Sequence, residues 1–142
     1  PWWDPHARGT ISGLTRGATA GHLARAALEG IAFQVEDVLD AMSSASGVAV
    51  QELRVDGGAA ANNLLMQFQA NISNTPIIRP KCLETTAAGA AYLAGLATGV
   101  WDSVDALASQ WEMDSTFAPA FSEDERSAFK TGWHRALQRA KS

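Results

Sequence analysis

The run Leu53-Arg54-Val55-Asp56-Gly57-Gly58-Ala59-Ala60-Ala61-Asn62-Asn63 limits the folds open to this chain more than any other stretch. It reads as a short strand, a glycine turn and the start of a helix, with no spacer between them. Leu53 and Val55 alternate with polar neighbours as strand residues do, and the Gly57-Gly58 pair can take backbone conformations closed to other residues. Asn62 or Asn63 can then cap a helix whose apolar positions Leu64, Leu65, Phe68 and Ile72 keep helical spacing. Strand, turn and helix in immediate succession imply an α/β fold. A helix N-terminus beside bare glycine backbone also suits an anionic or hydrogen-bond-accepting ligand, because the first helical N–H groups have no partner inside the helix. Nucleotide contact at this turn is one reading; a tight turn with no ligand is the other.

The rest of the chain supplies elements around that unit. Pro1 to Arg8 is an irregular aromatic segment, and Gly9 to Leu14 alternates like a strand flanked by glycines. Thr19 is a plausible N-cap for a long helix from about Ala20 to Ser44 whose apolar positions Leu23, Ala27, Ile31, Val35, Val38, Leu39 and Met42 keep helical spacing, with Gly47 as its stop signal. Glu29, Glu36, Asp37 and Asp40 on that helix read as a solvated face rather than an acidic site. Pro76-Ile77-Ile78-Arg79-Pro80 is extended and bracketed by prolines, which suits an edge strand. Glu84 to Gly99 forms a helix of small residues, fit to pack deep against a neighbour, with Glu84 or Thr85 satisfying its first N–H groups. Ser103 to Trp111 predicts a short helix burying Val104, Leu107 and Trp111, and Thr116 to Phe121 a loop. Ser122-Glu123-Asp124-Glu125 is a capping box that opens a terminal helix through Ala140. Its early acids and late Arg135, Arg139 and Lys141 complement the helix dipole.

Composition narrows the function. At 142 residues with 46% hydrophobic and 18% charged residues, the chain is one globular domain, short for a complete two-substrate enzyme. A net charge of −4 argues against nucleic acid as a partner. The single cysteine, Cys82, excludes an internal disulfide and suits a cytoplasmic protein. No apolar run approaches the roughly 20 residues that span a bilayer. Paired Trp2 and Trp3 at the start suggest a domain cut from a longer polypeptide. His6, His22 and His134 are far apart with no second ligand at metal spacing, and neither a GxxxxGK[ST] loop nor a GxSxG elbow occurs. Bottom-up, the result is an α/β domain with one candidate nucleotide site, no metal site and no general base to name.

With these elements laid out, the chain resembles the C-terminal domain of the FGGY family of carbohydrate kinases. From Gly9 to Glu29, the order Gly9, Ile11, Gly13-Leu14, His22-Leu23 and Ala26-Ala27-Leu28-Glu29 fits the family's second signature at every constrained position. Arg54 to Gln69, Trp3-Asp4-Pro5 with Ala7-Arg8-Gly9, Glu84-Thr85-Thr86-Ala87 and Gly89 to Leu96 are similar to the branch that phosphorylates glycerol. The likeness runs to about Trp133 and weakens after Trp111. It implies a ribonuclease-H-like, actin-like ATPase half-domain over residues 1–142, with a short mixed sheet flanked by helices and an N-terminus that is truncated. It also implies that Gly58 and Asn62 contact ATP or ADP while Gly57 shapes the turn. Mg²⁺ would be held mostly by residues outside this segment.

The implied partners are an N-terminal kinase domain of the same chain, glycerol as substrate of the whole enzyme, and further copies in a dimer or tetramer. The catalytic base and nearly all substrate contacts belong to segments upstream of Pro1, so the segment alone should be inactive. Asp56 is not the implied base; an aspartate ending a strand more often bonds local backbone. In some bacterial members the segment matching Pro119 to Trp133 binds a regulatory protein, but the residues here depart from that pattern. Two alternatives remain: a family kinase for another polyol or sugar, such as xylulose or gluconate, and a non-enzymatic actin-like module, against which the Gly9 to Glu29 signature speaks.

Overall fold

Ile77 lies at the centre of the molecule, fully buried in the middle strand of a three-stranded sheet. In the computed structural model, which describes residues 4–141, the chain runs α1 (Ala20–Ser46), β1 (Leu53–Arg54), a 3₁₀ turn (Gly58–Ala61), α2 (Asn63–Ser73), β2 (Ile77–Pro80), α3 (Thr85–Thr98), α4 (Val104–Ala108), β3 (Met113–Phe117) and α5 (Glu123–Ala140). The sheet order is β1-β2-β3 and the sheet is mixed. β1 runs parallel to β2 with Leu53 opposite Ile77, and β3 runs antiparallel with Phe117 opposite Ile77. Parallel neighbours need a crossover, and α2 supplies it between β1 and β2.

Two apolar surfaces meet over this sheet. Ile72 of α2 is fully buried with Ile77, and Leu65, Met66, Phe68 and Ala70 of α2 pack with Ala32 and Phe33 of α1. Aromatic rings bring in α5. Trp133 stacks on Phe33 at 5.1 Å between centroids, Phe33 meets Phe68 edge-on at 5.4 Å, and Phe129 meets Phe68 edge-on at 5.5 Å. Such pairs add directional preference to simple burial. The helices stop and start where local chemistry directs: Thr19 caps α1 with His22 as its reciprocal partner, Gly47 ends α1 at φ 69°, and Ser122 with Glu125 forms the capping box of α5.

Several expectations are corrected. Gly9 to Leu14 forms no strand; no segment of the three-stranded sheet pairs with it, and Ile11 and Leu14 are exposed. Pro76 to Pro80 is not an edge strand, since β2 is central. The prolines are tolerated because Pro76 precedes the strand and still accepts from Leu53 N–H at 2.9 Å, while Pro80 sits at a register shift against β3. The predicted loop at Thr116 begins inside β3. The terminal tryptophans Trp2 and Trp3 lie outside the described residues.

Helix faces also differ from their expected burial. On α1, Leu23, Ile31, Val38 and Met42 are exposed, whereas Glu36 and Asp37 are buried at 5% and 7% exposure. The expected solvated acidic face is therefore half interior, because α5 covers it: Lys130 pairs with Glu36 and reaches Asp40 at 3.2 Å, and Trp133 Nε1 donates to Asp37 at 2.9 Å. Glu29 instead pairs with Arg25 along the helix at 2.6 Å. Leu64 of α2 is exposed, and α3 is mostly exposed with only Gly95 buried, against Trp101, so α3 is not packed deep against a neighbour among the described residues. Glu84 makes no side-chain cap, and Thr85 uses its hydroxyl elsewhere. The helix expected from Ser103 to Trp111 is only Val104–Ala108, with Val104 and Trp111 exposed.

Candidate functional site

The turn after β1 is shaped by backbone rather than by side chains. Gly57 has φ 78° and ψ 170°, where a Cβ would be strained, and its N–H donates to Leu83 O at 2.7 Å. Gly58 then opens the 3₁₀ turn, closed by Ala60 N–H on Gly57 O at 3.0 Å. A Cβ built on Gly58 meets no heavy atom within 4 Å, so this backbone faces open space. Both Gly58 and Asn62 are exposed. Gly57, Gly58 and Asn62 are thus brought together on one accessible turn.

Asn62 is the helix cap. Its Oδ1 accepts from Leu64 N–H at 3.0 Å and Leu65 N–H at 3.1 Å. Two donors that an anion could have used at this N-terminus are therefore already satisfied by the side chain. Among the described residues the Nδ2 group of the same amide makes no hydrogen bond. The cap fixes the amide and leaves its donor end for an acceptor on a ligand. This is a narrower offer than a bare helix N-terminus, and a more directional one.

Neighbouring charges are engaged elsewhere. Asp56 does not bond local backbone as expected; its carboxylate accepts from the Thr85 hydroxyl at the start of α3. Arg79 of β2, read from sequence only as a strand residue, reaches the turn with Nη1 donating to Ala60 O at 3.1 Å and Asn63 Oδ1 at 2.7 Å. Its other edge meets Asp114 of β3, whose carboxyl is held below the usual carboxylate range by the Ser115 hydroxyl and then by Arg79. Nothing in local sequence spacing signals either partnership, because Thr85 and Asp114 stand 29 and 35 residues from their partners.

Cavities of about 460 and 470 Å³ lie away from the turn, the first between α1 and α5 and the second between α3 and α4. The Gly57 turn lines neither. Among the described residues no three histidine, cysteine, aspartate or glutamate side chains gather closely enough to hold a metal ion. His22 is used in the α1 cap, and His134 faces Asp37 at 3.9 Å.

Comparison with known proteins places this geometry. A model of the FGGY family of carbohydrate kinases, C-terminal domain, matches residues 1–98. The chain is 57% identical over its whole length to a glycerol kinase of Herminiimonas arsenicoxydans, and 61% identical over 99% of its length to one of Rhodopirellula baltica. It spans only 28% and 26% of those relatives. Among solved structures it superposes on Plasmodium falciparum glycerol kinase with ADP at a TM-score of 0.85, with 38% identity, covering 99% of this chain and 28% of that one. A xylulose kinase of Lactobacillus acidophilus gives 0.69 with 27% identity, covering 98% of this chain and 28% of that one. The expected α/β, actin-like architecture is the one these neighbours share. The chain accordingly belongs to the FGGY family of carbohydrate kinases, within that family's C-terminal domain.

Proposed function

We propose that this chain is the nucleotide-side domain of a glycerol kinase, in which Gly57 shapes the turn while Gly58 and Asn62 contact ATP. The observation that carries the reading is the turn itself: bare, outward-facing Gly58 backbone beside an asparagine amide whose oxygen is pinned by the helix and whose nitrogen is not. The likeness to a glycerol kinase solved with ADP supports it. In this reading the glycerol 3-hydroxyl oxygen bonds to the γ-phosphorus of ATP and the bond from that phosphorus to ADP breaks. The hydroxyl proton passes to a carboxylate supplied from outside the segment. Such transfer depends on positioning and charge neutralisation, which one wall of a cleft cannot supply. The open turn is that one wall, and an N-terminal domain of the same longer chain supplies the other. Mg²⁺ would accompany the nucleotide and take most of its ligands from that other part.

The remaining assignments belong to the same proposal: a cytoplasmic enzyme, assembled as a dimer or tetramer, of which this segment is one truncated domain. No described helix is long and apolar enough to cross a membrane. A second reading, a family kinase acting on xylulose or gluconate, draws on the likeness to the Lactobacillus acidophilus xylulose and gluconate kinases at 27% identity. The deciding assay is ATP-dependent phosphorylation of glycerol, xylulose and gluconate by the full-length chain. Preferred turnover of glycerol is expected. Preference for another of the three would keep the nucleotide assignment and remove the substrate one.

A further inference from the structure

Arg79 stands between three parts of the molecule. It is carried on β2, its Nη1 donates to Ala60 O at 3.1 Å and to Asn63 Oδ1 at 2.7 Å, and its Nε and Nη2 both meet Asp114 Oδ2 on β3, at 2.8 and 2.7 Å. Nη2 also donates to Ser115 Oγ at 3.2 Å, and the guanidinium lies 5.3 Å from the Phe117 ring centroid. The Arg79 side chain is only 12% exposed, while its partner Asp114 is 43% exposed; the bonds to Ala60 and Ser115 are partly buried and those to Asp114 and Asn63 lie at the surface.

On and beside the turn Arg79 touches Ala60, Ala61, whose carbonyl accepts from Nη1 at 3.4 Å, and Asn63, residues that lie between and directly after the proposed nucleotide contacts Gly58 and Asn62. Ala60 is two positions after Gly58 and is 1% exposed, so its carbonyl depends on partners inside the protein. Asn63 directly follows Asn62, whose oxygen is already committed to α2. One planar fork thus holds the later residues of the 3₁₀ turn, while Leu83 O accepts from Gly57 N–H at its start at 2.7 Å. A lysine could keep the charge but not bond the carbonyl, the amide and the carboxylate together.

We propose that Arg79 is a positioning residue for the nucleotide: clamped to Asp114 on β3, it sets where the Gly58–Asn62 turn stands and so how tightly ATP binds, without touching ATP itself. The proposal rests on the nucleotide reading of that turn. It assigns a role to a side chain distant in sequence from the glycine motif, and it makes β3 part of the nucleotide site's support.

The test is steady-state kinetics of the full-length enzyme carrying Arg79→Lys, Asp114→Asn or Asn62→Ala. With Arg79→Lys the KM for ATP should rise about tenfold while the KM for glycerol and the kcat at saturating ATP move less than about twofold. Asp114→Asn leaves Arg79 on the turn but loosens its anchor, and should give the same split at about threefold. A silent ATP KM in both variants, or equal changes for ATP and glycerol, would make Arg79 a strut of the sheet and overturn the proposal. If Arg79→Lys does not fold, Asp114→Asn alone decides on the same criterion. Asn62→Ala separates the two levels: if it raises the ATP KM while the Arg79 and Asp114 variants do not, only the positioning role fails. If Asn62→Ala is silent as well, the nucleotide reading fails and takes the positioning role with it.

Discussion

At the scale of single residues, the proposed nucleotide site depends on what Gly57, Gly58 and Asn62 lack or leave open. Gly58→Val would place a branched side chain where the backbone now faces open space, with no protein atom to clash with. In the full-length enzyme it should therefore raise the KM for ATP at least tenfold, with little change for glycerol and little loss of stability. A matching loss of thermal stability, or an equal change in both KM values, would place the effect in the fold instead. Gly57→Ala differs: at φ 78° it strains the native turn, and should cost about 1–2 kcal/mol in a denaturant melt. At this scale the glycine pair and the asparagine cap were legible, because their conformational and hydrogen-bonding preferences are local. The partners of Asp56 and Arg79 were not, because Thr85 and Asp114 come close only once three elements have assembled.

At the scale of elements, the contact between α1 and α5 is the least expected feature. Burial pushes the Glu36 carboxyl above its ordinary value more than the bond to Lys130 pulls it down. For Lys130, burial works against the charge, but its bonds to Glu36 and Asp40 outweigh this and raise its pKa. An acid with a raised folded pKa gives its full contribution below its ordinary value of 4.5 and loses it as pH climbs through the folded value. A raised lysine contributes below 10.5 and is lost only above that. Lys130→Met removes the compensating cation and should cost about 2–4 kcal/mol near neutral pH, less than a fully buried pair because Lys130 is 27% exposed. That cost should shrink as pH falls toward 4.5, where Glu36 takes up a proton. Urea melts at the two pH values check it, and a pH-independent cost would contradict the assignment.

The capping box of α5 has the opposite sign. Hydrogen bonds from the Ser122 backbone N–H and then its hydroxyl lower the Glu125 pKa, so its contribution is present above 4.5 and is lost as pH falls through the folded value. Ser122→Ala should cost about 1 kcal/mol above that range, read from the same melts. Spacing alone revealed this box and the Thr19 start of α1. It could not reveal that β2 is central, because both prolines sit where a central strand can still tolerate them.

At the scale of the whole molecule, accessible surface is the telling quantity. The chain presents 9383 Å², whereas a compact monomer of 15.0 kDa presents about 7,000 Å². Leu93 and Val104 are 71% and 69% exposed on α3 and α4, and Ile31, Val38 and Met42 are exposed along α1. In the proposed reading these faces are covered by the rest of a longer kinase; the chain spans 28% of the length of a matched relative. The isolated segment should bind the dye ANS strongly and phosphorylate none of the three substrates, while the full-length chain binds less dye per residue and turns over glycerol. Turnover by the segment would mean that a complete active site had been overlooked.

Sequence by itself determined the local units: the β1 turn and its cap, the extents of α1, α2 and α5, and the family likeness that rests on them. These follow from backbone freedom, capping and helical period, which act within a few residues. Tertiary structure alone decided which faces are buried, that β2 is flanked on both sides, that Glu36 and Asp37 lie under α5, and that Arg79 joins β3 to the turn. Those outcomes depend on which distant surface arrives against each element, and no local preference carries that information.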